Sequence, residues 1–162
     1  MRILVVEDEL SKKENIVSLV EENFPKSILL EAYSVKSAKI LLKSKEDFDC
    51  IILDMSLPTF DIGRNEFGGR PQGFGGKEVI RQLFRDNRCI PIVVVTAYDF
   101  FSNLEGSDES MSGMSLDELK KQLNNYSSKL TISVIKYSGL IDDWKEKLIE
   151  FLQEIDEDIN SR

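Results

Sequence analysis

Asp49-Phe-Asp-Cys-Ile-Ile-Leu-Asp-Met-Ser-Leu-Pro58 is the stretch that decides the fold. Its apolar run, Cys50 to Leu53, ends in the carboxylate of Asp54, and Pro58 bars a strand from continuing. A run this short, bounded by polar residues, reads as a strand buried on both faces, as in a parallel sheet covered by helices. Two further runs end in the same manner. Ile3-Leu-Val-Val6 meets Glu7-Asp8-Glu9, and Ile90-Pro-Ile-Val-Val-Val95 meets Thr96-Ala97. In open α/β sheets, ligands bind beyond the carboxyl ends of the strands. If these strands are parallel neighbours, Glu7, Asp8, Asp54 and Thr96 meet at one edge.

Outward from that stretch, the pattern alternates strand and helix. Strands are expected at 1–6, 28–33, 50–53, 91–96 and 130–135. Between the first two, Leu10, Ile16, Val17, Val20 and Phe24 recur at helical spacing up to Pro25. Ser34 reads as the N-cap of a helix with Val35, Ala38, Leu41 and Leu42 on its apolar side. Val79, Ile80, Leu83 and Phe84 mark a third helix. Ser115-Leu-Asp-Glu118 reads as a capping box opening a fourth. Ile141, Trp144, Leu148, Phe151, Leu152 and Ile155 form the stripe of a last helix. Five strand–helix pairs with right-handed crossovers predict a doubly wound, five-stranded parallel sheet of the α/β class.

The 162 residues predict one domain over 1–158, with 159–162 as a fraying tail. A formal charge of −8 argues against a phosphate-neutralising groove, so no nucleic-acid partner is expected. No apolar run reaches membrane-spanning length and no targeting segment precedes the first strand, which predicts a cytoplasmic protein without a membrane partner. Cys50 and Cys89 lie in or beside apolar runs and read as buried free thiols. The chain has no histidine. Ser-His-Asp and Cys-His nucleophiles are thereby excluded, as are histidine-containing zinc sites, leaving carboxylates, hydroxyls, lysine and a hard metal.

Glu7, Asp8 and Asp54, held close together, would raise one another's pKa unless a cation joined them. Mg²⁺ suits such a site, because it prefers oxygen ligands and keeps waters that exchange for phosphate oxygens. With the metal in place, Asp54 can attack phosphorus to form an aspartyl phosphate. The Thr96 hydroxyl and the ammonium of Lys136, which closes the fifth strand, can then neutralise charge on the transferred group. Taken singly, each residue has a plainer reading: a turn former, a solvated first helical turn, a strand threonine, a surface lysine. Their joint position at the same end of four strands favours the site.

The set Ile3-Leu-Val-Val-Glu-Asp-Glu9, Asp54-Met-Ser-Leu-Pro58, Val95-Thr96-Ala97 and Lys136 resembles the receiver domain of bacterial two-component response regulators. The resemblance extends through Glu31-Ala-Tyr-Ser and the second helix. It implies a flavodoxin-like (CheY-like) sheet of strand order 2-1-3-4-5. It implies Asp54 as phosphoacceptor, with Mg²⁺ bound by Asp8, Asp54 and the main-chain carbonyl of Ser56, and by Glu7 through a water. Thr96, Ala97 and Lys136 would contact the phosphate. The donor would be a phosphohistidine on a kinase or phosphotransfer protein, and the output contact with a downstream protein or a second copy.

Four positions depart from that family pattern. Ser133 stands where an aromatic switch residue is usual, three positions before the lysine, and Tyr137 follows the lysine in place of proline. The other two departures are inserted loops at about 59–76 and 99–114. The first holds six of the nine glycines and offers Phe60, Arg64, Phe67, Arg70 and Phe74 as a docking surface. The second is acidic, serine-rich and expected to be mobile. The resulting expectation is a stand-alone phosphoacceptor that signals by protein contact, with no output domain after the last helix. The alternative is a receiver-like binding module that works through its loops without phosphate. A haloacid-dehalogenase-like phosphatase fits poorly, since that family carries Asp-x-Asp and Ser56 leaves no second acid. The chain is therefore not expected to be an enzyme.

Overall fold

The computed structural model describes residues 1–44, 46–61, 75–97, 100–101 and 114–161. Its elements run β1 (Arg2–Val6), α1 (Leu10–Asn23), β2 (Ile28–Ala32), α2 (Val35–Lys43), β3 (Cys50–Leu53), α3 (Gly75–Arg85) and β4 (Ile92–Thr96). They continue through β5 (Phe100–Phe101), β6 (Met114–Ser115), α4 (Leu116–Leu123), β7 (Ile132–Lys136) and α5 (Asp143–Asn160). The main sheet has the order β2-β1-β3-β4-β7 with every pair parallel. Counting its strands consecutively gives the expected 2-1-3-4-5. A separate antiparallel pair, β5 with β6, stands at the base of the second inserted stretch, where no strand was expected.

Successive residues of a strand point to opposite faces, and here the two faces become two cores. Leu4, Val6, Ile51, Leu53, Ile92 and Val94 pack with α2, α3 and α4. Ile3, Val5, Cys50, Ile52, Val93 and Val95 pack with Ile16 and Val20 of α1 and with Trp144, Leu148 and Leu152 of α5. Carried one step past the strand, this alternation aims Asp54 to the α1 side with Ile52, and Glu7 likewise with Val5. The capping expectations hold. Ser34 Oγ accepts from the Ser37 N–H at 3.1 Å and Ser115 Oγ from the Glu118 N–H at 3.3 Å, each within a reciprocal capping box.

Three expectations need correction. Leu10 is 63% exposed, and the buried side chains of α1 are Lys12, Ile16 and Val20. Ile141 precedes α5 and is exposed, because the helix opens at Asp143. Cys89 is exposed, whereas Cys50 is buried, with its thiol pushed up to about 12 by burial and the neighbouring Asp49 charge.

Gly75 and Gly76 belong to the first turn of α3 rather than to the inserted loop, and the helix needs them there. A Cβ on Gly76 would lie 2.3 Å from the Asp54 carbonyl oxygen, and one on Gly75 would lie 2.4 Å from that of Leu57. Neither backbone position can yield. The Gly76 N–H donates to the Met55 carbonyl at 3.1 Å, and the Val35 N–H of α2 donates to the Pro58 carbonyl at 3.0 Å. With Met55 and Leu57 fully buried, the segment after Asp54 is clamped between two helix starts. Gly76→Ala should therefore cost about 3 kcal/mol or more, since overpacking against backbone has little room to relax. Urea unfolding should show it, with Lys77→Ala in the next position of α3 as a milder control.

Candidate functional site

The carboxyl ends of β1, β3, β4 and β7 lie side by side and supply the site. The ladder runs one residue beyond two of the strands: the Asp54 N–H donates to the Val6 carbonyl at 2.9 Å, and the Tyr137 N–H to that of Thr96 at 2.8 Å. Oxygens of Glu7, Asp8 and Asp54 all lie within 4.8 Å of one another. Glu7 is 2% exposed and Asp54 6%. Thr96 and Lys136 are register partners across β4 and β7 at the same edge; Thr96 is buried, while Lys136 and Ala97 are exposed. Ser56 is half-buried, and its N–H donates to Asp54 Oδ2 at 3.0 Å.

Lys12, which the sequence reading did not single out, lies at the centre of this cluster. Its ammonium donates to Asp54 Oδ1 at 2.7 Å and is ion-paired with Glu7 Oε2 at 2.6 Å. Only 2% of the side chain is exposed. A signal was present, since Lys12, Ile16 and Val20 recur every four residues and place a cation on the buried stripe of α1. Above it, Tyr137 presents its ring centroid 5.6 Å from the ammonium and accepts a hydrogen bond from the Asn15 amide at 2.9 Å. Tyr137 also packs on Trp144, with ring centroids 4.8 Å apart.

One ammonium does not neutralise three carboxylates. Burial, and then the charge of Asp54, raise Glu7 to about 7 despite Lys12, and the same two causes raise Asp8 to about 6. Burial works against the charged form of Lys12, but the charges of Asp54 and Glu7 together outweigh it and hold its pKa above the ordinary value. Among the described residues the buried Thr96 Oγ1 lacks a hydrogen-bond partner, whereas Glu7 Oε2 meets the Lys12 ammonium as an ion pair. A hard cation shared by the acids suits the carboxylates, and an incoming anionic oxygen suits the hydroxyl. The donor set thus fits Mg²⁺, although two of its three carboxylates already hold Lys12.

Phe60 is exposed, with the Lys36 ammonium 5.4 Å from its ring centroid. Arg64, Phe67, Arg70 and Phe74, and the expectation about the second loop between 102 and 113, lie outside the described residues.

No protein-family model matches the chain. Among curated proteins, it is 25% identical over 156 residues to the Detocs response regulatory protein DtcB of Enterobacter cloacae (strain JD6301), covering 96% of this chain and all of that one. It is 24% identical over 148 residues to protein y4jR of Sinorhizobium fredii (strain NBRC 101917 / NGR234), covering 90% of this chain and 92% of that one. Among solved structures, it superposes on a CheY-like response regulator receiver domain protein of Methanospirillum hungatei JF-1 with a TM-score of 0.61. There the identity is 15% over 99% of this chain and 98% of that one. The non-phosphorylated HemR receiver domain of Leptospira biflexa superposes with a TM-score of 0.58 at 21% identity, over 95% and 93% of the two chains. The fold is that of the CheY-like response regulator receiver domain, as the sequence motifs implied.

The raised carboxylates make stability depend on pH in a definite direction. Between about pH 4.5 and 7, folded Glu7 retains a proton that the unfolded chain has released. The stability this contributes is complete below the unfolded pKa and is lost as pH rises through the folded one. Metal-free wild type should therefore lose up to about 3 kcal/mol relative to Glu7→Gln between roughly pH 4.5 and 8. Urea unfolding of both proteins in a chelator across that range measures the difference. A pH-independent difference would mean that Lys12 alone already neutralises Glu7.

Proposed function

We propose that this chain is a phosphoacceptor receiver: Asp54 takes a phosphoryl group from the phosphohistidine of a partner kinase or phosphotransfer protein, with Mg²⁺ bound at the acidic edge. The single observation that carries the reading is the convergence of Glu7, Asp8 and Asp54 within 4.8 Å at the carboxyl ends of two adjacent parallel strands. In this reading Asp8, Asp54 and the Ser56 carbonyl hold the metal, with Glu7 acting through a coordinated water. When bound, the metal neutralises charge on the phosphoryl oxygens. Asp54 is the nucleophile, and the Ser56 N–H on Oδ2 orients its carboxylate so that Oδ1 is the oxygen that attacks. Attack requires the Lys12 ammonium to release Oδ1. The new P–O bond forms on Asp54 as the phosphorus–nitrogen bond of the donor breaks, and the histidine leaves with the donor.

Thr96 and Lys136 answer the added charge. The Thr96 hydroxyl is fully buried and has no partner among the described residues, so a phosphoryl oxygen within reach would give it a hydrogen bond. Lys136, opposite Thr96 in the register, supplies a cation at the next strand end, and the Ala97 main chain follows directly. Movement of Thr96 toward the phosphate changes packing around β4 and β7, and so the surface offered to a downstream protein or a second copy. The chain then acts as a signalling module and not as an enzyme turning over substrate, and a cytoplasmic location follows from its kinase partner. Among the described residues no helix is long and apolar enough to cross a membrane.

Two observations favour a second reading, a receiver-fold binding module that does not use phosphate. Lys12 already gives Asp54 a counter-ion, and Ser133 in mid-β7 removes the usual aromatic partner of a moving Thr96. Intact mass after incubation with acetyl phosphate and Mg²⁺ separates the two. The phosphoacceptor reading expects one phosphate adduct on wild type, absent from Asp54→Asn and reduced at least about tenfold in rate by Asp8→Asn, since metal charge stabilisation is lost. Wild type without an adduct, at saturating Mg²⁺, would favour the binding module.

A further inference from the structure

Lys12 is the single buried basic side chain among the described residues, and it is built into the acidic cluster rather than resting near it. It comes from the first turns of α1, where Ile16 and Val20 continue its face into the core. Its ammonium contacts Glu7 and Asp54, two of the three carboxylates able to share a metal, at 2.6 and 2.7 Å. Tyr137, hydrogen-bonded by Asn15 and packed on Trp144, has its ring centroid 5.6 Å from the ammonium. A divalent ion held by Asp54, with Glu7 reaching it through a water, would meet the ammonium as a like charge at close range. The two cations would therefore compete for the same negative charge.

We infer that Lys12 is a tethered cation that competes with the divalent metal for Glu7 and Asp54, so that the pocket binds metal only when the Lys12 side chain swings off Asp54. The inference rests on the reading of the pocket as a metal site. It gives the chain two alternative occupants of one anionic hole. One is supplied by its own α1, carries a single charge and is always present; the other comes from solution and carries two. Tyr137, whose ring centroid is 5.6 Å from the ammonium, packs on Trp144, so Trp144 lies one side chain away from Lys12.

The test uses the full chain and Mn²⁺ as the probe, with affinity measured by calorimetry and by the fluorescence of Trp144, the only tryptophan. Lys12→Met keeps the length and apolar stem of the side chain and removes the charge. Lys12→Gln, which retains a polar head, serves where Lys12→Met does not fold as judged by circular dichroism. Removal of the competing charge should tighten Mn²⁺ binding by about tenfold or more. Asp54→Asn should weaken binding in wild type and in the Lys12 variant alike. Unchanged or weaker Mn²⁺ affinity in the folded Lys12 variants would overturn the competition, while leaving the pocket a metal site. Absence of Mn²⁺ binding in wild type and in both variants would instead remove the metal reading, and the competition with it.

Discussion

Three carboxylates and one ammonium meet in one hole, with Glu7, Asp54 and Lys12 buried and Asp8 half-buried, and most features of the molecule either build that hole or respond to its charge. Parallel strands make it possible, because β1 and β3 end at the same level and deliver Glu7, Asp8 and Asp54 to one spot. Acids driven together out of water are costly to ionise, which is why burial leads the upward shifts of Glu7 and Asp8 and Asp54 adds to them. Lys12 offsets part of that cost from within the chain. A buried ion pair of this kind contributes little net stability, yet loss of either partner leaves an uncompensated charge. Its significance here lies in occupancy, since it decides what else can enter.

Around this hole the frame is fully hydrogen-bonded at Asp54 and less completely satisfied at Thr96. The segment after Asp54 is held by hydrogen bonds from the first turns of α2 and α3, and the glycine pair lets α3 approach to backbone contact distance. Asp54 itself is gripped at both oxygens, by Lys12 and by the Ser56 N–H. Thr96, one strand away, has a buried hydroxyl without a hydrogen-bond partner among the described residues. Under the proposed function this asymmetry is useful: the acceptor stays in place, and the neighbour with an unmet hydrogen bond gains by moving. Tyr137, in the position where the resembled family has proline, lies against the Lys12 ammonium and packs on Trp144 of α5.

The strands were legible because each is a short, mostly apolar run closed by a charged or hydroxyl-bearing residue, and a doubly wound sheet is what such runs build when helices lie between them. Asp8, Asp54 and Thr96 were legible for the same reason, as polar groups placed at strand ends. Lys12 was not read, though its spacing with Ile16 and Val20 carried the sign. A lysine on a buried stripe looks like an error in the stripe until the carboxylates opposite it are located. Leu10 and Ile141 failed in the reverse sense. They continue a helical spacing that the backbone does not bury, because Leu10 opens α1 on its exposed side and α5 begins only at Asp143. The two glycines of α3 read as loop residues, since the need for a missing Cβ arises from β3-loop backbone some twenty positions away.

By itself, the amino-acid order determined the class of fold and the candidate acids, because hydrophobic period and strand-end punctuation are local properties that neighbouring residues express. Tertiary structure alone decided how the charges pair. Which cation faces Asp54, which hydroxyl lacks a partner among the described residues and which helix start touches the segment after Asp54 all depend on distances between segments far apart in the chain. Electrostatic interaction is set by separation in space and by exclusion of water, and neither is written in the spacing of residues along one strand.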